Sequence, residues 1–176
     1  MPGSVAEGKD MVKDFFITHD LHTVLDIGPG EGTYFFALQD AGVTQLDGVE
    51  AWAPYVNQFD LRTKYNNVYI SDIYYFDWAK AGYYDMVILG DVVEHLVEAQ
   101  GREVIGKAAE HGKYVVISLP IYGYPQGWGY DGNWFEAHLE DYSNDRVVNG
   151  LLADYNILES MQGGTVGVYI FKGLVE

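Results

Sequence analysis

The stretch Val24-Leu25-Asp26-Ile27-Gly28-Pro29-Gly30-Glu31-Gly32-Thr33-Tyr34 decides the fold, because an apolar run holding an acid passes through alternating glycines into a helical pattern. Val24, Leu25 and Ile27 read as a strand inside a parallel sheet, whose two faces are both covered. The helix that begins near Glu31 directs its unpaired amides back into the turn, which suits a ligand with polar, partly anionic parts. At Gly28 the missing Cβ lets backbone approach such a ligand closely. A nucleotide-type cofactor beside Gly28 is therefore expected. A dinucleotide fingerprint would put its third glycine at position 33, where Thr33 stands, so the spacing disfavours a nicotinamide coenzyme.

Leu46-Asp47-Gly48-Val49-Glu50 is a second strand that ends in an acid. Its distance from the glycine turn is near the roughly 20 residues expected of a carboxylate that grips ribose hydroxyls, which makes Glu50 the ribose candidate. Val68-Tyr69-Ile70-Ser71-Asp72-Ile73 is a third strand with an acid at its end. Asp85 to Gly90 is a fourth, running through Asp91-Val92-Val93-Glu94-His95-Leu96 into a helical pattern, and Lys113 to Pro120 a fifth, fully buried strand.

Asp26, Gly28, Gly30 and Gly32 match, position by position, the D/E-x-G-x-G-x-G motif, and the chain resembles the class I S-adenosylmethionine-dependent methyltransferases. Asp91-Val92-Val93-Glu94-His95-Leu96 is similar to the D-x-x-E-H-L segment of that class, and the likeness extends over roughly residues 20 to 120. The resemblance implies that Asp72 pairs with the adenine amine while Ile73 packs on the ring. It also places Gly90 and Asp91 in the cofactor cradle, and it implies methyl transfer to O or N of a small-molecule or protein acceptor.

Strands alternating with helical segments predict a doubly wound, Rossmann-like α/β sheet with right-handed crossovers and helices on both faces. The resemblance adds seven strands in total, mostly parallel with an antiparallel C-terminal hairpin. A helix with Val5, Met11, Val12, Phe15 and Phe16 on one face ends near Thr18, with Ser4 and Glu7 at capping-box spacing. Further helices are predicted over Tyr34 to Ala41, from Pro54, over Val93 to Glu110, and after Ser143 with Val147, Val148, Leu151 and Leu152 buried. Asn156 to Met161 and Thr165 to Lys172 flank the Gly163-Gly164 turn as a hairpin, and Val166, Val168 and Ile170 alternate as if one face were buried. Between Pro120 and Ser143, the residues Tyr122, Tyr124, Trp128, Tyr130, Trp134 and Phe135 are interleaved with Gly123, Gly127, Gly129 and Gly132. A long aromatic loop at a strand's carboxyl end predicts an acceptor-binding lid.

The 176 residues suit one domain, 1–176, with no repeat, linker or apolar run near the roughly 18 residues that span a bilayer. No signal-peptide pattern leads the chain and it has no cysteine, so cytoplasmic residence is expected, without disulfides or thiolate chemistry. With 26 acids against 10 Lys and Arg, a formal charge of -16 argues against nucleic acid and anionic lipid and favours a sulfonium cation. Gly90-Asp91-Val92-Val93 also lacks the N/D-P-P-Y/F tetrad of enzymes that methylate DNA amines.

His95 and His138 are the side chains near the expected cleft mouth able to take an acceptor proton near neutral pH. Asp91, Glu94 and His95, at i, i+3 and i+4 of a helix start and joined by His138, have metal-ligand chemistry. They are similar to the E-x-x-E-H and later histidine of metal-dependent methyltransferases of small-RNA 3′ ends and of ubiquinone synthesis. The first position here is the shorter Asp, and D-x-x-E-H-L is widespread in members without metal, so no metal is expected. Two other readings share the fold: an NAD(P)-linked oxidoreductase, and a non-catalytic cofactor-binding protein whose work is protein contact.

Overall fold

The computed structural model describes residues 6–127 and 132–175. In chain order the elements are α1 (Lys9–Thr18), β1 (Thr23–Ile27), α2 (Thr33–Leu38), β2 (Gln45–Glu50), α3 (Ala53–Gln58), α4 (Leu61–Lys64), β3 (Asn67–Ile70), α5 (Trp78–Ala81), β4 (Tyr84–Gly90), α6 (Glu98–His111), β5 (Gly112–Pro120), α7 (Asn144–Arg146), β6 (Ile157–Gln162) and β7 (Val166–Lys172). The strands form one sheet in the order β3-β2-β1-β4-β5-β7-β6. β3 through β5 are mutually parallel, and β7 runs antiparallel to both of its neighbours. The expected doubly wound α/β sheet with a closing antiparallel hairpin is thus present. From β1 the chain steps outward to β2 and β3, then returns to β4 on the other side. That reversal opens a crevice at the carboxyl tips of β1 and β4.

Successive side chains of a strand point to opposite faces, so each central strand feeds two cores. Val24, Met86, Ile88 and Val116 pack with Val12, Phe15 and Phe16 of α1 and Leu38 of α2. Leu25, Ile27, Val87, Leu89, Val115 and Ile117 pack with Val104, Ile105 and Ala108 of α6. The predicted apolar face of α1 is the one buried. Ser4 and Val5 lie outside the described residues, as do Trp128, Gly129 and Tyr130. The Glu7 carboxylate accepts from Thr165 N at 3.0 Å, Thr165 Oγ1 at 3.0 Å and Val166 N at 3.3 Å, clasping the β6–β7 turn to the start of α1.

Two expectations fail for non-local reasons. The predicted helix from Val93 to Glu110 is broken: Val93–His95 form a short 3₁₀ turn, Leu96 and Val97 are extended, and α6 begins at Glu98. The Glu94 carbonyl, which would accept from residue 98 in a continuous helix, instead accepts from Leu139 N at 2.8 Å and Glu140 N at 3.1 Å. Meanwhile Glu98 N donates to the Glu140 carboxylate at 3.1 Å. β7 is buried on both faces from Val166 to Phe171 rather than one, because it lies inside the sheet between β5 and β6. The helix after Ser143 does form, with Ser143 Oγ accepting from Arg146 N at 3.2 Å, and then widens into a π turn over Val147–Leu151. Among the described residues no helix is long and apolar enough to cross a membrane.

Two acids the sequence left unremarked hold the frame. The buried Asp47 accepts from Tyr84 Oη at 2.7 Å, Gln45 Nε2 at 2.8 Å, Asn67 Nδ2 at 2.9 Å and Asn67 N at 3.0 Å, joining β2 to β3 and β4. Asp85 Oδ2 accepts from His22 N at 2.8 Å and Thr23 N at 2.9 Å, fixing the start of β1 against β4. Asp47→Ala strands the Tyr84 hydroxyl and the Asn67 amide and is expected to cost about 3 kcal/mol. Thermal unfolding would read this as a fall in Tm of roughly 6–12 °C. A Tm within about 2 °C of the parent would contradict this role.

Candidate active site

A cavity of about 440 Å³ runs along the carboxyl tips of β3, β2, β1 and β4 and continues beneath the loop that follows β5. Gly28 and Gly30, from the turn after β1, line it. Gly28 has φ +70°, and a Cβ there would lie 2.7 Å from Val92 Cγ2, so the turn demands glycine twice over. Glu50, Asp72, Ile73, Gly90 and Asp91 line the same cavity, so seven of the nine residues expected around a cofactor converge on it. Asp26 and Gly32 do not line it. Asp26 is 1% exposed, behind the turn on the α1 side, where its Oδ2 accepts from Tyr65 Oη at 2.6 Å. Its Oδ1 has no hydrogen-bond partner, and burial pushes its pKa up to about 7, with Tyr65 and Lys9 opposing. Gly32, at φ +88°, starts α2 and faces the Lys64 stem.

The acids at the strand tips are held by backbone. Glu50 Oε1 accepts from Trp52 N at 2.7 Å and Oε2 from Gly30 N at 3.4 Å, tying the tip of β2 to the glycine turn. Burial lifts its pKa to about 7 against these hydrogen bonds. Asp72 Oδ1 accepts from Tyr74 N at 2.9 Å and caps the turn over Ile73–Tyr75. Asp91 adopts φ +55°, uncommon for a residue with a side chain; its amide donates to Ser118 O at 2.7 Å and its Oδ1 accepts from Ser118 Oγ at 3.2 Å.

The loop after β5 forms the far wall. Tyr124, Gln126, Asn133, Trp134, Phe135, Glu136 and His138 line the cavity from it. Glu136, which no motif singles out, is 9% exposed and accepts from Tyr55 Oη at 3.2 Å and Gln126 Nε2 at 3.2 Å. Tyr55 stands on α3, just past Glu50, so the contact joins the loop to the β2 side of the cavity.

His95 and His138 both line the cavity, with ring centroids 4.8 Å apart in an edge-to-face arrangement. His95 Nδ1 lies 3.0 Å from Ala137 O. A carbonyl only accepts, so that nitrogen carries the proton and Nε2 keeps a lone pair. Burial lowers the pKa of both histidines, and His95 lowers that of His138 further. Glu94 is 2% exposed, neither of its carboxylate oxygens has a partner outside the residue, and burial, then Asp91, raises its pKa well above the usual carboxylate range. Ligand atoms of Glu94, His95 and His138 fall within 4.8 Å of one another, the one such group among the described residues. Asp91 stands outside this group. The expected helical i, i+3, i+4 set is not realised, because residues 93–95 form a 3₁₀ turn.

No protein-family model matches the chain, and no curated protein matches it in sequence. Solved structures match its fold. The methyltransferase domain of bacterial CtHen1 superposes with a TM-score of 0.71 at 18% identity, over 93% of this chain and 96% of that one. Magnesium protoporphyrin IX methyltransferase (ChlM) from Synechocystis PCC 6803, with S-adenosylhomocysteine bound, gives 0.69 at 17%, over 95% and 82%. The N-terminal domain of EvdMO1, also with S-adenosylhomocysteine bound, gives 0.66 at 16%, over 98% and 83%. The chain has the fold of the class I S-adenosylmethionine-dependent methyltransferases.

Proposed function

We propose that the protein binds S-adenosylmethionine along this cavity and transfers its methyl group to O or N of a small-molecule or protein acceptor seated under the aromatic loop. One observation carries the reading: a single cavity is lined in sheet order by Asp72 and Ile73, Glu50, Gly28 and Gly30, and Gly90 with Asp91. Neighbouring strands lie about 4.8 Å apart, so the tips from β3 to β4 span about 14 Å, the reach of an extended nucleoside with an amino-acid tail. Asp72 and Ile73 take the base, Glu50 the sugar hydroxyls, and the glycine turn with Gly90 and Asp91 the remainder. The cofactor supplies a methyl carbon on a positively charged sulfur, open to in-line displacement by an acceptor lone pair. The chain's contribution is to align the acceptor and exclude water, for which Tyr124, Trp134 and Phe135 provide flat walls. His95 Nε2, neutral at pH 7, is placed to receive the acceptor's proton, with His138 beside it.

A second feature of the site favours metal assistance. Glu94, His95 and His138 are a carboxylate and two imidazoles, a donor set suited to a divalent first-row ion, and such an ion would give the stranded Glu94 oxygens a partner. Bound there, it would act as a Lewis acid that makes an acceptor hydroxyl easier to deprotonate, and His95 Nε2 would then be a ligand of the ion instead of the proton acceptor.

Isothermal titration with S-adenosylhomocysteine is expected to give a micromolar-range Kd, order 10⁻⁶ M, and absence of heat at millimolar ligand would refute the cofactor reading. Affinity should also weaken as the pH is lowered. The free-protein pKa of Glu50 is raised to about 7, so its carboxylate is protonated below that pH, and a ligand that prefers the charged form binds more weakly there. Affinity is thus expected to rise severalfold between pH 6 and pH 8, and Glu50→Gln to flatten that rise while weakening binding about tenfold. For the metal, millimolar Mn²⁺ is expected to raise Tm by several degrees and Glu94→Gln to erase the shift. An unchanged Tm in the parent, with turnover indifferent to chelators, would remove the metal from the account.

A further inference from the structure

The cofactor reading occupies the tips of β3, β2, β1 and β4. The same cavity continues to Pro120 and Val166, paired residues at the tips of β5 and β7. Leu96 and Leu139 add to this apolar lining. Tyr124 lines the cavity from the loop, its ring centroid 5.9 Å from that of His138, which in turn lies 4.8 Å from that of His95. Tyr124 is nevertheless 55% exposed, so an aromatic ring beside the imidazole pair keeps an uncovered face on which a flat molecule can stack.

The amides and the acid that the loop brings to the wall are committed within the protein. Gln126 Nε2 donates to both the carbonyl and the carboxylate of Glu136, whose Oε1 accepts from Tyr55 Oη, and Asn133 Oδ1 accepts from Phe135 N. A guest with many hydroxyl groups would give up bonds to water that these side chains do not replace. Charge narrows the choice further. Glu50, Asp72, Asp91 and Glu136 line the cavity and, among the described residues, no Lys or Arg does, so a phosphate or carboxylate is repelled. An ammonium would be drawn in, but the same acids would hold its proton on and leave no lone pair to attack a methyl carbon.

We infer that the acceptor is an uncharged planar aromatic molecule carrying a ring hydroxyl, its ring seated against Tyr124 at the β5 and β7 end of the cavity and its hydroxyl toward His95 and His138. This rests on the cofactor reading above and narrows its acceptor to a phenolic oxygen. A phenol ionises near pH 10, roughly six units below water, so its oxygen becomes a nucleophile far more readily than an aliphatic hydroxyl. In transfer the ring oxygen bonds to the methyl carbon while the carbon–sulfur bond breaks with its electron pair left on sulfur. The hydroxyl proton passes to the imidazole pair or, with an ion seated there, to water.

The test is isothermal titration into the full chain saturated with S-adenosylhomocysteine, using probes on one carbon skeleton: 2-naphthol, 2-naphthyl phosphate, 2-naphthylmethylammonium and the saturated decahydro-2-naphthol. 2-Naphthol is expected to bind about tenfold or more tightly than each of the others. Tyr124→Ala is expected to weaken it about fivefold and Tyr124→Phe to keep it within about twofold, with the affinity for S-adenosylhomocysteine held within about twofold in both variants. Absence of 2-naphthol binding, a match by any other probe, or indifference to Tyr124→Ala overturns the assignment. So does an equal loss of 2-naphthol and S-adenosylhomocysteine in Tyr124→Ala, the mark of a ring that only holds the loop in shape. A parent protein that does not bind S-adenosylhomocysteine refutes the cofactor reading itself, an outcome distinct from cofactor binding without selectivity for the phenol.

Discussion

Carboxylates buried at and just behind the carboxyl ends of neighbouring parallel strands set the terms for the rest of the molecule. Asp26, Glu50 and Glu94 are each buried and each pushed above the ordinary carboxylate range by that burial. In the folded protein they hold protons more tightly than when unfolded, so each costs stability as pH rises toward neutrality. A fold tolerates such a cost where it serves binding. The acids that only hold the frame are treated differently: Asp47 has four hydrogen-bond donors around it, whereas one oxygen of Asp26 and both of Glu94 lack such partners.

The cavity draws on segments distant in sequence, joined by a few polar ties. The glycine turn is bound to the tip of β2 through Glu50 and Gly30, the loop after β5 to α3 through Glu136 and Tyr55, and α1 to the terminal hairpin through Glu7. These ties cross between layers that apolar packing alone would leave free to shift. They let a small sheet present a continuous row of polar groups along its carboxyl edge.

What could be read from the sequence was local. The strand from Val24, the glycine turn, the acids at strand ends and the hairpin about Gly163 each carry their signal within a dozen residues, and the structure forms them nearly where expected. The break after His95 carried no such signal, because its cause is a pair of amides from Leu139 and Glu140 that take the Glu94 carbonyl from more than forty residues away. The double burial of β7 depends on its place between β5 and β6, which alternation along one strand does not encode. Glu136 was not legible, as an acid among aromatic residues reads first as solvent-facing.

The Glu94 carbonyl also fixes where the loop after β5 meets the cavity floor. Two consecutive amides fasten the downstream end of the aromatic segment to the floor of the site, while its upstream part is held by Glu136 through Tyr55 and Gln126. The two sets share no atom, so the contacts at Leu139 and Glu140 do not depend on those made by Glu136. Main chain therefore anchors the residue after His138 to the residue before His95, and the two imidazoles keep their spacing independently of the aromatic side chains upstream.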